Sequence, residues 1–244
     1  MVFEPPSTHM VSLRSLLVSD HQAQRTRDLD ARLGLARQLV ASLFRLFEVS
    51  WLHKSLWSGN AVFFDPKIAV SQKVSAEAQD VHKIPKPHLL GFDLSRRDAS
   101  AELTEAVPSS MVEVSRERVR RLCRHPDLSS EARSGFYPHY RRKHDAYSLG
   151  IMLLEIGLWC PIDKIASRSR EPEVFQREDL REKVRGLRAL MGRRYWEVVE
   201  RCLFIGFGED ELPEMSESQE LRNMQEYLSG FDQLVVTELE QMSM

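Results

Sequence analysis

The chain has 244 residues, room for one large domain or two small ones, and its 42% hydrophobic and 29% charged content argues against disorder as the default. A formal net charge of -2 gives no global pull toward nucleic acid or anionic membrane. Cys123, Cys160 and Cys202 make neither a CxxC pair nor a zinc spacing, so they predict reduced thiols in an intracellular, cytoplasmic protein.

In chain order, Met1 to Thr8 hold an acid and two prolines, not the basic and apolar blocks of a signal peptide. Leu13 to Leu17 predict a short helix. From about Asp28 to Val49, Leu29, Leu33, Ala36, Val40, Phe44 and Phe47 recur at helical spacing, with Thr26 or Asp28 as the cap. Ala61 to Phe64 then read as a buried strand ended by Asp65-Pro66, with a second short strand around His88 to Phe92. Residues 95–144 are polar and irregular, with one helical candidate near Val112 to Leu122.

Ala146 to Trp159 is apolar on nearly every face and predicts a helix buried all round, with Asp145 at its N-cap. It is too short, and too interrupted by Ser148, Gly150, Glu155 and Gly157, to span a bilayer. Three helices follow. Val174, Leu180, Val184, Leu187 and Leu190 mark one; Tyr195, Val198, Val199, Cys202 and Leu203 mark the next. Leu221, Met224, Leu228, Leu234, Val235 and Leu239 mark a terminal helix with a possible break at Gly230. An acidic loop, Gly208 to Glu220, separates the last two.

Three short segments stand in a telling order. They are Trp51-Leu52-His53 running to Asn60, Leu89-Leu90-Gly91-Phe92-Asp93, and His144-Asp145-Ala146-Tyr147-Ser148-Leu149-Gly150. Together they resemble the catalytic loop, the metal-binding Asp-Phe-Gly and the central-helix motif of a protein kinase. His125-Pro126-Asp127 resembles the Ala-Pro-Glu that ends an activation segment. The resemblance covers about residues 13–240 and implies a mainly α fold: a kinase C-lobe-like helical domain with one or two small β-hairpins and no N-lobe. It divides the single domain into a hinge-side lead (1–24), a long helix with a degenerate catalytic loop (25–64), an activation-segment-like region (91–144) and a helical subdomain (145–244). More narrowly, the chain is similar to kinase-like domains of filamentous fungi that sit C-terminal to HeLo-type prion-inhibition domains, which implies a role in fungal signalling or non-self recognition.

The departures from the kinase pattern decide the expected function. Phosphoryl transfer depends on positioning and charge stabilisation. The position of the carboxylate that orients the attacking hydroxyl is Ser55, and that of the phosphate-side lysine is Trp57. The metal aspartate is replaced by Gly91, and Asp93 comes two residues late. No GxGxxG occurs. The resemblance therefore implies a pseudokinase without catalytic residues, metal or cofactor, acting on a protein partner. In it His53 and Asn60 support the loop backbone, and Asp145 and Gly150 are structural anchors. The rival is an atypical active kinase that binds ATP and magnesium through Asn60 and Asp93, with an N-lobe from elsewhere. An exposed apolar patch near Leu13 to Leu17 is expected where an N-lobe packs in kinases, open to a partner or to self-association. The basic run Arg116 to His125 with Arg141, Arg142 and Lys143 is interrupted by acids and lacks interleaved aromatics, so a solvated face is expected over a nucleic-acid site.

Overall fold

A computed structural model describes residues 10–64, 84–97, 111–130, 140–167, 171–207 and 216–242. The fold is mainly α, with five short strands among the described residues. The Asp65-Pro66 turn and most of the acidic loop lie outside the described residues.

The chain opens with β1 (Met10–Ser12) and α1 (Leu13–Gln22), whose N-cap Ser12 accepts from Ser15 N at 3.1 Å. The long helix α2 (Leu29–Glu48) starts as expected, with the Asp28 carboxylate accepting from Ala31 N at 2.9 Å. Then come β2 (Trp51–Leu52), β3 (Ala61–Phe64), β4 (His88–Leu89), a 3-10 turn over Phe92–Leu94, and β5 (Arg96–Arg97). The strands form two small antiparallel sheets, ordered β1-β3-β4 and β2-β5. Each pair joins residues well apart in sequence, so tertiary packing sets their register.

α3 (Met111–Cys123) and the single turn α4 (Asp127–Ser130) lead to the central helix α5 (Arg142–Leu158), in which every residue from His144 to Gly157 is buried. α5 begins four residues earlier than Asp145 at the N-cap would require. Arg141 caps it, and the His144 Nδ1 reaches back to accept Arg141 N–H at 2.9 Å. Asp145 lies inside the first turn, and its carboxylate is free to serve another segment.

Short turns α6 (Ile162–Ile165) and α7 (Pro172–Val174) precede α8 (Leu180–Met191), entered through a π turn over Phe175–Asp179. α9 (Arg193–Glu200) runs into a second π turn over Arg201–Ile205. α10 (Glu217–Phe231), a third π turn (Asp232–Val236) and α11 (Thr237–Glu240) complete the chain without a break at Gly230. The extra residue in each π turn shifts the helical face. Leu190 and Leu221, placed on inner faces by simple periodicity, are 56% and 52% exposed: Leu180, Val184, Leu187 and Met191 carry the buried face of α8, and Tyr227 and Phe231 that of α10.

α5 forms the axis of the core. At Gly150 a Cβ would lie 2.8 Å from the Leu203 side chain and 2.9 Å from the Cys202 Cβ, so the absence of one lets the second π turn pack directly on the helix. Tyr195 donates its hydroxyl to Leu153 O at 2.8 Å from the same side. On the far side of α2, Phe44, Phe47, Tyr227 and Phe231 pack ring against ring, tying α10 to α2.

The expected apolar patch at Leu13 to Leu17 does not exist: Leu13, Leu16 and Leu17 are buried core residues. β1 pairs with β3, Met10 opposite Phe64 and Ser12 opposite Val62, and this pairing folds α1 onto the body of the protein. Asp20 at the far end of α1 is also buried; it accepts from Trp159 Nε1 at 3.1 Å and pairs with Arg27 at 2.8 Å.

Candidate functional site

Two strand pairings and one helix start bring the three sequence segments together. β2 pairs with β5, Leu52 opposite Arg96, and β3 pairs with β4, Ala61 opposite Leu89. Between them the chain turns from His53 to Asn60 against the first turn of α5. Ser95 Oγ donates to His53 O at 3.0 Å, and Leu90 N donates to Asn60 O at 2.8 Å.

Asp145 holds this turn. Its carboxylate accepts His53 N at 2.6 Å, Lys54 N at 3.0 Å and the Tyr140 hydroxyl at 2.7 Å, and the aspartate is fully buried. Two successive backbone N–H groups aimed at one carboxylate fix the chain direction, and Lys54 takes a left-handed φ of 65° at that point. Burial, and next the neighbouring Asp145 charge, push the Tyr140 phenol well above its ordinary range. Tyr140 went unnoticed in the sequence because it stands alone in an irregular stretch with no period to mark its face.

His53 is buried, and its ring packs on Phe92 with centroids 4.6 Å apart. Its Nδ1 accepts Ser55 N–H at 3.3 Å. Burial pushes its imidazole down to about 4, against a smaller upward pull from the Leu90 backbone. A neutral, loop-bracing histidine follows from these contacts.

Ser55 and Asn60 face each other across the turn: Asn60 Nδ2 donates to Ser55 O at 2.7 Å and to Ser55 Oγ at 3.2 Å. The amide end of Asn60 is thus spent on the loop. It also packs onto Gly91, where a Cβ would lie 2.3 Å from Nδ2, and Gly91 has a φ of 87°. No carboxylate fits there while Asn60 holds this position. Asp93 sits exposed in the 3-10 turn beside Phe92, which is 44% exposed. Trp57 is buried with its ring against Gly59, and the Arg120 guanidinium lies 5.8 Å from the ring centroid.

His125, Asp127 and His144 lie close enough to hold an ion. Three of their polar contacts are made within the protein. His125 Nδ1 accepts Asp127 N at 3.2 Å, His144 Nδ1 accepts Arg141 N, and Lys143 Nζ stands 3.1 Å from Asp127 Oδ2. His144 Nε2 is buried without a hydrogen-bond partner, and His125 Nδ1 also lies 3.4 Å from Asp127 Oδ2. His125-Pro126-Asp127 makes a polar junction at the start of α5. Burial pushes His144 down to about 2, with His125, Lys143 and Arg141 adding repulsion.

These titrations predict acid sensitivity. An unfolded imidazole takes a proton near pH 6.5, while folded His53 and His144 resist it to about 4 and about 2. Below pH 6.5 the unfolded chain therefore binds protons that the folded chain refuses, and stability falls. Glu155 opposes this. Burial raises it to about 7, so its contribution is present at low pH and is lost as pH rises from 4.5 to 7. Two imidazoles outweigh one carboxyl. Thermal midpoints should drop from pH 6.5 downward, and less steeply in His144→Gln.

Residues 3–242 match a family model described as a domain of unknown function, DUF7580. No curated protein matches the chain. Among the described residues no helix is long and apolar enough to cross a membrane.

Proposed function

The chain belongs to the DUF7580 family, and we propose that it works as a non-catalytic, pseudokinase-type module that binds a protein partner. The observation carrying this reading is the closed turn itself. Ser55 stands where the kinase resemblance requires a carboxylate, and Asn60, held by its Nδ2 on Ser55, fills the space that a side chain at Gly91, the position of the metal aspartate, would need. Phosphoryl transfer needs a group to orient the nucleophile and a metal to neutralise the phosphates. Neither is built at this turn among the described residues. Exposed Trp51 and Phe92 flank it and offer apolar contact to a partner. A place in fungal signalling or non-self recognition, in the cytoplasm, follows from the resemblance.

A phosphate-transfer assay tests the reading. The purified chain, incubated with γ-labelled ATP, magnesium and generic protein substrates, should label neither itself nor them. Labelling that tracks the intact chain and disappears in Asp93→Ala would replace the module with an atypical kinase.

A further inference from the structure

The end of the His53–Asn60 turn forms one wall of an open cleft of about 1040 Å3, lined also by α1 and α3. Its described lining carries Arg14, Arg25 and Arg120 with the hydroxyls of Ser12, Ser15 and Ser19, and includes no aspartate or glutamate. The bond from Arg14 N to Ser58 O, 2.9 Å, fixes α1 to the turn and sets the width of the cleft.

The cations are only partly neutralised. Arg25 shares the single Asp20 carboxylate with Arg27, at 3.7 and 2.8 Å. Arg14 pairs with Asp163 at 2.9 Å, yet its Nη1 is buried without a hydrogen-bond partner. Arg120 has no carboxylate within ion-pair reach among the described residues; it lies over Trp57 with its Nε buried and unpartnered.

We propose that this cleft receives a phosphorylated peptide segment, with Arg14, Arg25 and Arg120 as the cations that recognise its phosphoester. A phosphoester brings close to two negative charges and several strong acceptors, which suits guanidinium forks better than a lone carboxylate does. Small-molecule pockets are mostly apolar and enclose their ligand. This cleft is wide and walled by charges and hydroxyls, the arrangement of a surface that reads an extended acidic chain. Such a site gives the binding module its class of partner, and it rests on that reading.

Fluorescence polarisation tests it with two short degenerate peptide pools, one with a fixed central phosphoserine and one with serine. The whole chain should bind the phosphoserine pool about tenfold more tightly. Arg120→Gln should remove most of that preference. Ser15→Glu should abolish it by placing a carboxylate among the arginines. Ser15 is exposed and is the third residue of α1, where glutamate favours a helix start, so loss there does not reflect unfolding. Equal binding of the two pools, or a preference that survives both variants, would overturn the proposal. So would a single-stranded oligonucleotide that binds through the same arginines when neither peptide pool does. ATP turnover by the chain would sink the module reading and leave the peptide preference unchanged, so the two failures are distinct.

Discussion

Asp145→Ala should lower the stability of the chain by about 3 to 5 kcal/mol, the largest loss expected of any polar substitution at the site. The carboxylate is the common acceptor for His53 N, Lys54 N and the Tyr140 hydroxyl, and it is buried where water cannot replace it. Alanine leaves three donors unmet at once, each at about 1 to 3 kcal/mol. Asn would do little better, because its amide nitrogen turns a donor toward a donor. At this chain length each kcal/mol moves the midpoint by about 2 to 4 °C, so a fall of roughly 10 °C is expected. Tyr140→Phe removes one of the three bonds and should cost about 1 kcal/mol. Combined with Asp145→Ala, it should add almost nothing, since the hydroxyl has already lost its acceptor. Additive losses measured by denaturant titration would show that the two side chains act separately.

Gly91→Asp, the change that restores a carboxylate to the kinase-like position, should destabilise the fold and not create a metal site. The backbone there has a φ of 87°, which costs a side-chain-bearing residue about 1 to 2 kcal/mol. The new Cβ would also fall 2.3 Å from Asn60 Nδ2, and overpacking of this kind costs about 1 to 3 kcal/mol. Asn60 is not a free end that swings away without loss, because its amide holds Ser55 O and Oγ. The combined loss of about 2 to 5 kcal/mol should appear as a lower thermal midpoint, unchanged by magnesium. A variant of unchanged stability that gains magnesium-dependent nucleotide binding would mean that the turn opens readily and that Asn60 is not what closes it.

Much of the helical architecture was legible from periodicity. α2 with its Asp28 cap and the all-round burial of α5 follow directly from where the apolar residues fall. Periodicity failed near helix ends. An i+3 step from Leu187 points to Leu190, but the i+4 step to Met191 is the buried one, and Leu221 lies near the exposed start of α10, ahead of buried Tyr227 and Phe231. It also failed at the chain's first strand: a three-residue β1 carries no pattern of its own, yet its pairing with β3 buries the leucines that were expected to be exposed.

At the site, the identities of Ser55, Trp57 and Gly91 were readable as departures from a pattern, because each is a change of residue type at a fixed offset. The bonds that give those departures meaning were not readable. That Asn60 turns inward to Ser55, and that Tyr140 and Asp145 share a proton contact, depends on side chains brought together from distant segments. The start of α5 shows the same limit. Asp145 has the composition of a cap, but Arg141 is the N-cap, with His144 accepting its N–H, and the Asp145 carboxylate holds the turn instead.

The central claim is that the turn from His53 to Asn60 carries no magnesium-nucleotide site, and a thermal shift with saturating Mg-ATP tests it most directly. A ligand at ~100 times its dissociation constant stabilises by about 2.7 kcal/mol, which would raise the midpoint by several degrees. The closed geometry of Ser55, Asn60 and Gly91 predicts no shift, with or without magnesium. A rise of several degrees that requires magnesium and is lost in Asp93→Ala would contradict it.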